Sequence, residues 1–222
     1  VKDVTGDNHH DMVMAIGEKD TVAENGPFQN IDIVVYDSVA KSFHKAGLKK
    51  VKGKFPKVVT ANLDDSPNLE MILMVENEDM TKSLNIISMQ GGEMKEIFKP
   101  RDNKGLIFTG YFMDGFKTYV SARKIKLERY LDLHDNKDNY ISSGFYDADG
   151  RVLKENQMIS TTGFTDIQIV PTNDRQGLKT TQRILGFDYL DILDEVEVLW
   201  KFENGTWQIK EASGKKLGNL LY

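Results

Sequence analysis

The sequence predicts an all-β protein, a β-propeller-like array of about four four-stranded blades, on three observations. A nine-residue frame of oxygen-bearing side chains, followed at once by an apolar run, occurs twice. Strand starts at Met12, Met71, Thr118 and Ile167 recur at intervals of 59, 47 and 49 residues. The intervening segments are short β-branched or aromatic runs bounded by Gly, Asn and Asp, the pattern of strands and tight turns. Periods of this length point to one small sheet per repeat, since a single sheet cannot bury both faces and neighbouring repeats must cover each other. The approximate units are 1–57, 58–105, 106–160 and 161–222 of a single repeat domain. Two stacked sheets, a β-sandwich, is the competing architecture.

The first frame is Asp3-Val4-Thr5-Gly6-Asp7-Asn8-His9-His10-Asp11, followed by the run 12–16. Asp3, Thr5 and Asp7 fall on alternate positions and Asp11 closes the set. That spacing curls a loop around a cation or around its own amides. Ca²⁺ takes six to eight oxygens from carboxylates, carbonyls and water. Asp3, Thr5, Asp7, the His9 carbonyl and Asp11 are therefore the candidate metal ligands. In the second frame Asn62, Asp64, Ser66, Asn68 and Glu70 take the same places before the run 71–75. Its two carboxylates in equivalent places and stiff Pro67 make it the weaker site. His9 and His10 point apart on an extended segment and lack a third partner nearby, so zinc is not expected.

Each remaining element follows from local chemistry. Residues 31–36 form a buried strand, 37–41 its turn and 42–45 the partner. Lys49, Lys50, Lys52, Lys54 and Lys57 read as solvated lysines guarding a sheet edge. Residues 84–89 and 93–98 make a hairpin about Gln90-Gly91-Gly92. The third unit offers strands at 106–112 and 116–121 about Asp114-Gly115, with a second hairpin at 144–153. The fourth offers strands at 165–170, 196–202 and 206–210, the last two about Asn204-Gly205, a pair that tolerates positive φ. Residues 173–191 read as irregular and charged. The tail 216–222 is a candidate for the strand missing ahead of the first frame.

Composition narrows the function classes. With 29 Lys+Arg against 34 Asp+Glu, the net charge of -5 argues against nucleic acid as a partner. The absence of cysteine removes disulfides, thiol nucleophiles and thiolate zinc sites. No apolar run reaches the roughly 20 residues that cross a bilayer. Opening at Val1 inside a motif, the sequence is expected to be a mature or trimmed chain.

The first frame resembles the Asp-x-Asn/Thr-Gly-Asp-Gly-x-x-Asp-hydrophobic signature of FG-GAP/VCBS-type repeats, the integrin-like propeller blades of bacterial proteins. The 62–73 segment is a weaker copy, and 200–209 looks like a blade's outer strands. Asn8 stands where that signature has Gly, and the third and fourth units lack the acidic loop. The resemblance implies a propeller in an exported or cell-surface-attached bacterial protein. It also implies a non-catalytic binding or structural role, with a protein or a cell-surface polymer as partner. The sequence carries no Gly-x-Ser-x-Gly, phosphate-cradling loop or His-Glu-x-x-His pattern. The alternative is a propeller-type hydrolase or lyase acting on a glycan or phosphoester through one of the scattered acids, such as Asp166, Asp174 or Asp191. Tyr111, Phe112, Phe116, Tyr119, Trp200 and Trp207 are expected mostly in the core rather than on a sugar-stacking surface.

Overall fold

The computed structural model describes residues 2–19, 26–64, 66–154 and 157–221. Part of the segment between the run 12–16 and the strand at 31–36, Asp65 of the second frame and the last residue of the tail lie outside the described residues. The protein is all-β, made of several small antiparallel sheets, none closed into a barrel among the described residues. Strands β1 (Met12–Lys19), β2 (Phe28–Asp37) and β3 (Ser42–Lys45) form the first sheet in that order. Strands β4 (Lys54–Ala61), β5 (Glu70–Glu76), β6 (Lys82–Gln90) and β7 (Glu93–Phe98) form the second, again in chain order. Strands β8 (Thr109–Met113), β9 (Lys117–Ala122) and β10 (Leu127–Asp132) form the third, which the short helix α1 (Lys137–Ser142) follows. The fourth sheet runs β11 (Ser160–Thr161), β13 (Gln176–Leu185), β14 (Ile192–Glu203), β15 (Thr206–Gly214) and β16 (Gly218–Asn219), with β12 (Asp166–Pro171) also paired to β13.

Sequential order within a sheet is what tight turns between short strands produce. Gly91 and Gly92 sit at φ 61° and 82°, and Asn204 and Gly205 at 50° and 74°, so the turn residues supply the left-handed backbone the hairpins need. β4 is an edge strand, and its half-buried Lys54 and exposed Lys57 present charge where an unpaired edge would otherwise recruit another chain.

Two compact units divide the chain. The first comprises Val1–Asn103, Phe164–Thr180 and Leu199–Lys210. In it, Ile31, Ile33 and Val35 of β2 pack with Met71, Leu73 and Val75 of β5 around the fully buried Val4. β6 is buried on both faces, and the Lys82–Phe164 bridge ties it to the strand that follows Phe164. Trp207 donates its indole N–H to the Ile97 carbonyl at 2.9 Å, and its ring meets Phe98 edge-on.

The second unit comprises Lys104–Gly163, Thr181–Val198 and Glu211–Tyr222. Its core is aromatic. Phe112, Tyr140, Phe145 and Tyr146 are buried together, with Phe187 packed on Tyr140 and Phe145.

Three expectations change. Residues 173–191 are not irregular: they hold the ten-residue strand β13, in which buried and half-buried positions alternate. The hairpin expected at 144–153 reduces to one bridge, Tyr146 with Val152. The tail does not precede the first frame. Its strand β16 pairs with β15, Asn219 opposite Ser213.

Candidate functional site

The two acidic frames fold as loops of one design. In the first, Asp11 is fully buried, and its Oδ2 accepts the amides of Val4 and Thr5 at 3.0 and 3.1 Å and the Thr5 hydroxyl at 3.0 Å. In the second, Glu70 is fully buried, and its Oε2 accepts the amides of Leu63 and Asp64 at 2.7 and 3.3 Å. Val4 and Leu63, at equivalent places, are both fully buried. The closing carboxylate thus draws the loop back over an apolar plug.

The other predicted ligands serve the loop as well. Asp3 accepts the Gly6 amide at 2.6 Å through one oxygen and the Asn8 amide at 2.7 Å through the other. Asp7 accepts the His9 amide at 2.8 Å, while the exposed His9 ring turns back on the Asp7 carbonyl at 3.0 Å. Asp64 accepts the Ser66 amide at 2.6 Å, and the Ser66 hydroxyl lies near the Asn68 carbonyl and Glu70 Oε1. Gly6 and Asn8 take φ of 86° and 67° to make these turns. Asn68 reaches from the second loop to the first, donating to the Thr5 carbonyl at 3.5 Å, and its amide covers Gly6 so closely that a Cβ there would collide.

Among the described residues, no group of three or more His, Asp or Glu side chains is placed to hold a metal ion. Among the described residues, two loop oxygens, Asp11 Oδ1 and Asn68 Oδ1, are buried without a hydrogen-bond partner. Burial pushes the Glu70 carboxyl up to about 7, against the two amides that favour its charged form and with Asp64 adding repulsion.

The acids considered for catalysis each have their own partners. Asp166 pairs with Lys82 at 2.5 Å and accepts from Gln168 at 2.7 Å. Lys201 meets Asp174 at 2.5 Å and holds its carboxyl down at about 2. Asp191 accepts the Tyr140 hydroxyl at 2.9 Å on both oxygens and the Phe187 amide at 3.1 Å, and burial raises its carboxyl. Asp132 bonds His134 at 2.6 Å on an exposed turn.

A feature missed in the sequence lies on the outer face of the third sheet. Tyr111 stands opposite Tyr119 and Tyr119 opposite Tyr130, with centroids 5.2 and 5.5 Å apart. Tyr111 and Tyr130 are 48% and 65% exposed, which removes them from the core. Beside Tyr130 is a depression of about 360 Å³ lined by Met113, Lys117, Leu131 and Asp132. Alternation was the available signal: Tyr111 and Tyr119 alternate with the buried Phe112, Thr118 and Val120, and so face away from the core. A second depression, of about 380 Å³, lies in the first unit between Lys52–Lys54 and Glu76–Asp79 with charges of both signs.

No curated protein and no solved structure gives a significant match to the chain. The profile of a family described as the YybI C-terminal domain matches residues 106–215, just under half of the chain, beginning after both acidic loops.

Proposed function

We propose that the chain is a non-catalytic binding or structural module built from blade-like repeats of the FG-GAP/VCBS kind, carried by an exported or cell-surface bacterial protein. The observation that supports this reading is the carboxylate clasp formed at Asp11 and again at Glu70, 59 residues on, each time leading into the strand of a sequential antiparallel sheet. A loop that spends its carboxylates on its own amides acts as a scaffold for the strands behind it. Repeats of this kind present broad surfaces for partners rather than a buried reaction centre.

Two experiments test the reading. The first is incubation with neutral glycans and phosphoesters, which is expected to release no product. Turnover that disappears in Asp166→Asn or Asp174→Asn overturns it. The second is thermal unfolding with and without millimolar Ca²⁺. A site of extracellular strength, with Kd of about 10⁻⁴–10⁻³ M, adds about 2.7 kcal/mol at 100 times its Kd. A shift that vanishes in Asp7→Ala adds a cation to the first loop, and no shift leaves that loop closed by amides alone.

A further inference from the structure

We propose that the outer face of the third sheet binds a neutral, extended glycan of β-linked pyranoses along the row Tyr111–Tyr119–Tyr130. The inference rests on the binding-module reading and names the ligand class of that module.

The row is set by the ladder. Tyr111, Tyr119 and Tyr130 are directly opposite one another on three adjacent strands, and the exposed Met158 bridges Tyr111 at the far end. Neighbouring strands lie about 4.8 Å apart, close to the advance of one pyranose in an extended β-linked chain. A linear polymer of flat rings can therefore place one sugar per strand. The aromatic rings present an apolar body and a polar tip, which suits a sugar whose C–H faces are apolar and whose rim is hydroxylated.

Rows of hydrogen-bonding groups fringe the tyrosines on both sides. Thr109, Ser121 and Glu128 stand opposite one another along one side, and Lys117 faces Asp132 on the other. Thr109 and Ser121 already share a bond at 3.2 Å across the strands. Desolvation in the row and the adjacent Glu128 carboxylate raise the Tyr119 phenol, so its hydroxyl stays protonated and able to donate. The depression beside Tyr130, at about 360 Å³, falls within the range of small-ligand pockets. It gives a terminal or branching sugar a place against Lys117 and Asp132.

Charge and width select among occupants. Two carboxylates against one ammonium disfavour phosphate-bearing polymers. A strip one side chain wide falls short of the roughly 800 Å² per partner that a stable protein interface buries. Cross-strand aromatic pairs do stabilise a sheet by about 0.2–1 kcal/mol each, but that role needs no fringe of polar groups and no adjoining depression.

The test uses the whole chain and two probes, chitin and cellulose, each as the insoluble polymer and as the soluble hexasaccharide. Retention on at least one polymer is expected, with at least a ten-fold loss in Tyr130→Ala and in Tyr111→Ala and little change in Tyr130→Trp. A measurement on the unaltered chain keeps the test independent of folding. Nitration of Tyr111 and Tyr130 should fall when the hexasaccharide is bound, while Tyr189, 77% exposed, stays reactive. Failure of the chain to bind either probe, or undiminished nitration of the row, overturns the inference. So does a concentration-dependent dimer that is lost in Tyr130→Ala without glycan retention. Release of reducing ends from a bound probe would sink the non-catalytic reading while leaving this site in place.

Discussion

Asp11 and Glu70 close two successive loops with the same pair of bonds: each carboxylate accepts the amides of the residues seven and six positions before it. The side chains differ by one methylene, yet the donors are equivalent. The repeat is therefore kept at the level of the bond rather than the residue. Within each loop the fully buried carboxylate and the half-buried ones, Asp3 and Asp7 in the first and Asp64 in the second, do different work, and their substitution costs should differ accordingly.

Replacing Asp11 with Ala removes the acceptor of two amides and one hydroxyl at a fully buried position. Leaving such donors unsatisfied costs about 1–3 kcal/mol each when water cannot reach them, and the Val4 amide is buried. Urea unfolding should show a loss on the order of 3 kcal/mol. Asp3→Ala, whose bonds to Gly6 and Asn8 are exposed, should cost only about 1 kcal/mol, as a lost cap does. Equal losses in the two variants would mean that the clasp is not what holds the loop.

Glu70 makes stability depend on pH. Its carboxyl titrates at about 7 in the fold, chiefly through burial, against 4.5 in its absence. Between those values the folded chain holds a proton that the unfolded chain has lost, so stability falls as pH rises through the window. The loss is bounded by about 3 kcal/mol. Glu70→Gln keeps an oxygen for the Leu63 amide and removes the titration. Melting curves from pH 5 to 8 should be flatter for the variant, with its advantage at pH 8. An unchanged slope would place the wild-type dependence elsewhere.

Gly110 sits on β8 opposite Val120, and a Cβ there would run into the Tyr119 carbonyl. Because the obstacle is backbone, no rotamer relieves it. Gly110→Ala should pry β8 from β9 and destabilise the second unit by more than about 3 kcal/mol, beyond the range of ordinary surface changes. Amide exchange should accelerate first along β8 and β9. A variant as stable as the parent would show that the strands are farther apart than described.

The sequence carried the loops and hairpins because their signals are local. Asn204-Gly205 announces its turn through backbone freedom, and the acidic frames announce themselves through spacing. β13 was hidden by polar residues that behave as core. Thr180 and Gln182 are fully buried, and Gln182 bonds the backbone of Lys104, Leu106 and Thr162. These partners lie far off in the chain, so nothing near residue 182 marks it as interior. The tyrosine row was illegible for a related reason. Alternation assigns Tyr111, Tyr119 and Tyr130 to a face, but only the register of three strands lines them up.

Tyr140 and Asp191 provide the sharpest pH test in the second unit. The Tyr140 hydroxyl donates to both Asp191 oxygens at 2.9 Å and favours the charged carboxylate, whereas burial raises that carboxyl above its usual range. A group raised in the fold withdraws stability as pH climbs from the unfolded value through the folded one. Tyr140→Phe removes the bond that restrains the rise and leaves the Phe187 amide as the remaining donor described. Its deficit should therefore be larger at pH 8 than at pH 4, by about 1.5–3 kcal/mol, the strength of a hydrogen bond to a charged group. Comparing the difference between variant and wild type at each pH cancels the contribution of Glu70, which both chains share. An equal deficit at the two values would mean that Tyr140 holds the aromatic core by packing alone and that its hydroxyl does not tune Asp191.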